Sequence, residues 1–391
     1  MSQLLNERWS ETKEALLEGL SGTRKQSMSV CLENTRRHLA ESASAGATSA
    51  GNIATLNRVI LPVIRRVMPT VIANEIVGVQ PMTGPVAQIH TLRVRYADNG
   101  DNVIAGEEAL SPFKIAAAYS GNNDGNSPKA NSTAALEGTP GKRMSIQILK
   151  TAVEAKSRKL SARWTFEAAQ DAQAQQGIDI EAEIMAALAQ EITTEIDQEI
   201  LASLRGLASV EQSYDQSLVS GTATFVGDEH AALAIQINRV SNLIAQRTRR
   251  GAGNWAVVSN QALTILQSAT TSAFARTTEG TFEAPTNTKF VGTLNGAMRV
   301  YVDAYMTDVD DSNQVLIGYK GASEADAAAF YCPYIPLMSS GVVLDPTTFE
   351  PVVGFLTRYG YVELTNTASS LGNAADYLGK VSIANATVSF K

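Results

Sequence analysis

The sequence predicts an α+β protein, and three observations carry that expectation. One long run, residues 178–205, has helical periodicity. Two strand-like runs flank a polar tip. A later block, residues 225–334, alternates short helices with short strands. The chain has 391 residues, 44% of them hydrophobic and 18% charged. At roughly 100–200 residues per domain that length allows two or three domains or one elaborated fold. The charged fraction lies below the ~25% usual in globular chains and fits a surface partly covered by other copies of the chain.

Composition disfavours several classes. A net charge of −7 gives no basic field for nucleic acid, and 6% aromatic residues is thin for a protein that stacks bases. Cys31 and Cys332 cannot form a disulfide framework for a chain this long and fit a reducing compartment. The N-terminal residues lack the roughly 7–15-residue apolar core of a signal peptide. The most apolar stretch, residues 58–79, is broken by Pro62, Arg65, Arg66, Pro69 and Glu75, whereas a membrane span needs about 20 uninterrupted apolar residues. The expectation is a cytosolic chain with no membrane partner.

Taken in order, residues 1–41 read as amphipathic helix: Leu5, Trp9, Leu16 and Leu20 form a stripe, with Glu7, Glu11, Lys13 and Glu14 on the other faces. That stripe needs cover from a partner or from the body. Residues 42–52 (SASAGATSAGN) have linker composition, so the first forty residues are expected to form a separable unit. In residues 88–96, Leu92, Val94 and Tyr96 alternate with Arg93 and Arg95. In residues 144–148, Met144, Ile146 and Ile148 alternate with Ser145 and Gln147. The intervening tip, residues 120–141, is too polar to pack a core. The pattern is an extended hairpin. A lone two-stranded ribbon is marginal in water, so this one is expected to rest on something else.

In the long helix, Ile180, Ile184, Leu188, Ile192, Ile196, Ile200 and Leu204 recur every fourth residue. Each step overshoots a turn by ~40°, so the stripe winds around the helix and its two ends must meet different surfaces. The helix carries acids throughout and no base before Arg205, while residues 150–163 are basic. Lys150, Lys156, Arg158, Lys159 and Arg163 are therefore expected to meet Glu191, Glu195, Asp197 and Glu199 of a neighbouring copy. The alternative is that both are solvated faces. Further on, helices are expected at 228–248 and 260–268, and strands at 254–259 and near 289–291, 298–303, 314–319 and 328–331. Residues 349–364 form an apolar β-rich run that packs back on the core.

No motif carries catalysis. Residues 251–256 (GAGNWA) match a dinucleotide-binding pattern, but they follow a helix and precede a strand, the reverse of what phosphate binding at a helix N-terminus needs. Asp308, Asp310 and Ser312 begin like a calcium loop, yet the sixth position is Asn313 and the twelfth Tyr319. His38, His90 and His230 are scattered, without a second ligand at metal-binding spacing. No catalytic, cofactor-binding or metal-ligating residue is assigned, and no enzyme activity is expected.

Several segments resemble the major capsid protein of T-even-type, contractile-tailed bacteriophages: residues 79–85 (VQPMTGP), 154–204, 251–259 (GAGNWAVVS), 318–321 (GYKG), 331–335 (YCPYI) and 349–360 (FEPVVGFLTRYG). Residues 4–9 (LLNERW) and 16–19 (LLEG) are similar too. The resemblance implies the HK97-type capsid fold. Its parts would be an N-terminal segment (1–41), an N-terminal arm (42–87) and an extended loop (88–165). A peripheral domain (166–224) would hold the 178–205 helix as its spine, followed by an axial domain (225–345) and a return to the peripheral domain (346–391). The family's best-known member carries a large insertion near the extended loop, where this chain has only the polar tip. The resemblance further implies a structural protein that forms hexameric capsomers of an icosahedral or prolate head, assembled in the host cytoplasm and enclosing phage double-stranded DNA without specific binding. Its partners would be further copies of itself, vertex or portal proteins, an internal scaffold and a prohead protease. That protease cuts after a glutamate preceded, two positions earlier, by an aliphatic residue. Leu39, Ala40 and Glu41, followed by Ser42, fit that pattern beside the linker, and Leu16-Leu17-Glu18 fits it too. The alternatives are a pentameric vertex protein or a cellular compartment shell of the same fold, or a cytosolic nucleotide-binding α/β enzyme.

Overall fold

The computed structural model describes residues 9–10, 13–14, 16–18, 20, 22–44, 72–100, 103–107, 109, 119–124, 127–138, 140–176, 179–215, 226–248, 250–268, 274–276, 289–306, 313–322, 326–348, 350–364 and 374–384. Helix α1 (Gly22–Ser44) precedes a one-turn helix α2 (Ala73–Ile76) and the short strand β1 (Gly78–Val79). Strand β2 (Val86–Tyr96) leads through a small hairpin, β3 (Asn122–Asp124) and β4 (Ser127–Lys129), and one turn of helix α3 (Thr133–Leu136) into β5 (Met144–Glu154) and β6 (Lys156–Arg163). Helix α4 (Phe166–Gln176) and the long α5 (Ile180–Leu207) come next. Then follow β7 (Val210–Asp215), α6 (Val226–Thr248), β8 (Trp255–Val258), α7 (Asn260–Ser268), β9 (Phe274–Arg276), β10 (Lys289–Leu294), β11 (Met298–Val302) and β12 (Gln314–Gly318). The chain closes with β13 (Ala329–Leu344), β14 (Pro351–Glu363) and β15 (Leu378–Ala384).

Two sheets flank α5. One has the order β1-β13-β14-β6, the other β7-β15-β12-β8-β11-β10-β9. The helix starts where Asp179 caps it, its carboxylate accepting from Glu181 N at 3.1 Å, with Glu181 and Glu183 in the first turn and Arg205 in the last, as the helix dipole favours. At 28 residues it is about 42 Å long. Its isoleucine row divides as the winding stripe requires. Ile180 and Ile184 are half-buried, while Ile192, Ile196, Ile200 and Leu204 are fully covered. They share one core with Tyr331, Phe355 and Tyr359 of the four-stranded sheet and with Trp255, Tyr301 and Leu378 of the seven-stranded one.

Strand β8 shows why WAVV is apolar without alternation: all four residues are buried, because both faces of its sheet are covered. Trp255 and Val257 face the α5 core, whereas Ala256 and Val258 face a second core under α6 and α7, with Leu233, Ile237, Val240 and Ile265. The turn before it needs its glycine, since a Cβ on Gly253 would lie 2.9 Å from Ile317 Cγ2. The order helix, turn, strand at 251–256 is the one read from sequence.

Three features of the structure bear on the expected divisions of the chain. Residues 42–44, expected in the linker, complete α1, and the rest of that segment lies outside the described residues. The N-terminal segment also packs on the body, one of the two covers expected for its stripe: Leu16 is in the α5 core and Trp9 and Leu20 pack against it. Met28, Cys31 and Leu32 of α1 are buried in the α5 core, and Asn34 Nδ2 donates to Met82 O at 2.6 Å and Tyr334 O at 3.0 Å. Positions 28, 31, 32 and 35 fall on one helical face, which the strip along β13 covers. Third, sheet membership cuts across the expected domain limits. Strand β13, expected with the 225–345 block, pairs along its length with β14, while β7 and β15 join the seven-stranded sheet by pairing with each other and with β12. Backbone pairing between distant segments decides these memberships. Cys31 and Cys332 fall in cores on opposite faces of the β13 sheet, and burial pushes each thiol up to about 12.

Candidate functional site

The ribbon of β2 and β5 is the main feature the body does not enclose. Eleven antiparallel pairs run from Val86↔Glu154 to Tyr96↔Met144 without a bulge. Opposed residues share a face, so residues of β5 two apart lie on one side. At the root, Ile89 and Val153 are buried against Met82, Phe330 and Cys332 on the outer side of the four-stranded sheet. Beyond the root the apolar side chains move to the opposite face: Tyr96 and Val94 on β2, and Met144, Ile146 and Ile148 on β5.

That outer face is half covered. Tyr96 packs with Val103, Ala109 and Tyr119, its ring 4.6 Å from that of Tyr119, and Ala109 N donates to Val94 O at 2.8 Å. The tip is braced by Tyr119 Oη, which donates to Arg143 O at 2.5 Å, and by Asp98, which accepts from Arg143 N at 2.7 Å. The hydrogen bond from Arg143 holds the Asp98 carboxyl below its ordinary range. The β5 half has no such cover: Met144, Ile146 and Ile148 are 53%, 69% and 61% exposed.

Within one chain, Arg158 is the basic residue of the set that reaches the acidic face of α5. Arg158 on β6 reaches Glu195 at 2.6 Å and Glu199 at 2.5 Å on α5 and donates from Nε to Tyr359 Oη at 2.6 Å, while Tyr359 itself bonds Glu199. Burial opposes the Arg158 charge, but the bonds to Glu199 and Tyr359 outweigh it and raise its pKa. For Glu199, burial is likewise overcome by those partners and the carboxyl falls. Burial and the bond to Glu199 push Tyr359 up to about 12. Arg163 lies 3.8 Å from Glu350 rather than from α5. Lys150, Lys156, Lys159 and Glu191 are exposed. Asp197 is the clear departure from the expected acidic face: it points inward, 1% exposed, and accepts from Ile72 N at 2.9 Å. It stands four residues from the buried Thr193 and Leu201, so it belongs to the apolar side of the helix.

Two junctions escaped the sequence reading. Glu75 on α2 joins Arg24 of α1 to Arg299 and Tyr301 of β11. Asp303 joins Arg205 and Gln198 of α5 to the end of β11. The partners are far apart in sequence, and no spacing signals them. The Glu41–Ser42 bond falls in the last turn of α1. The calcium-like residues Asp308, Asp310 and Ser312 lie outside the described residues. Among the described residues His230 Nδ1 pairs with Ser268 Oγ, and no group of three or more metal-ligating side chains occurs. No helix among them is long and apolar enough to cross a membrane.

A rooted ribbon with a bare outer row, on a body whose charged side chains tie its own layers together, defines a structural protein that associates through its surface. Comparison with known proteins makes the class specific. The profile of the Gp23 major capsid protein family matches residues 53–135 and 123–383, and the chain belongs to that family. It is a structural protein of the capsid shell and resides in the virion capsid. The major capsid protein of Vibrio phage KVP40 is 28% identical over 95% of this chain and 96% of its own length, and that of Enterobacteria phage T4 is 29% identical over 81% and 77%. Among solved structures, a chain of the bacteriophage PhiM1 mature capsid aligns at 12% identity and TM-score 0.45 over 79% of this chain and 85% of its own. A chain from Mycobacterium phage Bobi aligns at 14% and 0.45 over 88% and 97%.

Proposed function

We propose that the chain is the repeating tile of the head wall, built into hexameric capsomers in which each ribbon lies over the next copy. The observation that carries this reading is the uncovered row of Met144, Ile146 and Ile148 on a ribbon whose base is already buried. One body cannot cover both faces of the ribbon, and a copy placed by rotation can cover the second. Closed symmetry then repeats a modest contact many times, so a weak pairwise affinity yields a stable shell. Charge supports the same placement: Lys150, Lys156 and Lys159 remain exposed beside the ribbon, and Glu191 remains exposed on α5, so these are the groups left to pair between copies. Glu195 and Glu199 serve Arg158 in the same chain, and Asp197 has no part in the contact.

The shell encloses double-stranded DNA without binding it specifically, which suits a chain of net charge −7. During assembly it meets vertex or portal proteins, an internal scaffold and a prohead protease that cuts between Glu41 and Ser42. Negative-stain micrographs and sedimentation of the purified chain test the central reading. Hexamers, sheets or closed particles are expected, and a monomer at every concentration would overturn it. Intact mass of the chain from mature particles tests the cut, and a chain still carrying residues 1–41 would remove it.

A further inference from the structure

We propose that Asp197 is a proton-operated latch between the N-terminal arm and the long helix, closed while its carboxyl is protonated and loosened when it ionises. This inference does not depend on how the copies assemble. Asp197 lies in the middle of α5, 1% exposed, where Ile72, the residue before α2, is itself buried. Its Oδ1 accepts from Ile72 N at 2.9 Å, and Oδ2 has no hydrogen-bond partner among the described residues. A buried carboxylate with one of its two oxygens unpaired is unfavourable, whereas a carboxylic acid in the same place is tolerated.

The surrounding groups do not supply the missing charge. From the end of β11, Asp303 is fully buried and adds a second carboxyl. The nearby cation on α5, Arg205, is bonded to Asp303 Oδ2, and Gln198 donates to Asp303 Oδ1 at 2.8 Å. From β13, Tyr331 senses the Asp197 charge, and Cys31 of α1 lies in the same core as Tyr331; both are buried, and burial keeps both neutral. The Arg205 cation thus serves Asp303, Asp197 has no ion-paired cation among the described residues, and a proton is its counter-charge. Burial raises the Asp197 carboxyl to about 7; Asp303 pushes the same way and the Ile72 N–H opposes. The closed state therefore binds a proton that the open state, with an ordinary carboxyl, releases to solvent. Rising pH between the ordinary carboxyl range and about 7 favours opening, with the effect levelling off above, and the residues held directly behind the latch are α2 and β1, through Ile72.

The test is amide hydrogen exchange of residues 72–79 in the full chain at pH 6 and pH 8, corrected for the intrinsic pH dependence of exchange. With a latch carboxyl at about 7 in the closed state, the opening equilibrium rises about tenfold between these pH values. Asp197→Asn keeps the acceptor for Ile72 and never ionises, so it should abolish that rise and give, at both pH values, protection greater than the parent chain shows at pH 6. Asp197→Ala should lose protection at both pH values. Equal corrected protection of the parent chain at pH 6 and pH 8 would overturn the latch, and so would a pH-dependent loss that persists in Asp197→Asn. Should the alanine variant fail to fold, the asparagine comparison decides alone.

Discussion

The two halves of the ribbon share one register, one pair of strands and one alternation, yet they meet opposite fates. The root buries Ile89 and Val153 in the chain's own core, whereas the outer half turns Met144, Ile146 and Ile148 to solvent. A strand of period two can switch its apolar residues from one face to the other by changing phase once, and β5 does so between Ile148 and Val153. The lesson is that a single hairpin can be anchored and adhesive at once, because its two faces are independent surfaces.

Substitutions can separate these roles. The largest effect is expected from Ile146→Asp, which should abolish particle formation in micrographs while moving the unfolding free energy of the isolated chain by less than about 0.5 kcal/mol, as for an exposed site. Ile89→Ala should do the reverse: the urea midpoint should drop by an amount equal to about 3 kcal/mol, with capsomer contacts kept wherever the chain still folds. If both variants behaved alike, the division of the ribbon would be lost. Arg158→Ala tests the strand that continues from the root; a loss of about 1 kcal/mol is expected, held down because Arg158 is partly in water. Asp98→Asn at the tip should leave the unfolding midpoint unchanged, since its partner Arg143 is largely exposed.

Much of this was legible because the signals are local. The four-residue isoleucine row of α5 announced both the helix and its need for two partners, and the alternation at 88–96 and 144–148 announced the ribbon. The phase change inside β5 is also visible once Val153 is read with Ile89, though it takes the pairing register to show that they oppose the outer row. What was not legible depends on distant partners. Nothing near Val210 or Leu378 marks them as strands of one sheet, and Asp197 reads as one more acid until Thr193 and Leu201, one turn to either side, are seen to be buried. The N-terminal segment shows the same limit: its composition left open whether a partner or the body covers it, and the packing of α1 on the body depends on residues far along the chain.

That placement of α1 has a consequence for any trimming after Glu41. The lost piece would take Met28, Cys31 and Leu32 with it and bare a strip of β13, so the intact and trimmed chains would have different resting structures. Trimming would then behave as a ratchet: a wall that resettles around the vacated strip has no route back, because the segment that defined its earlier shape is gone.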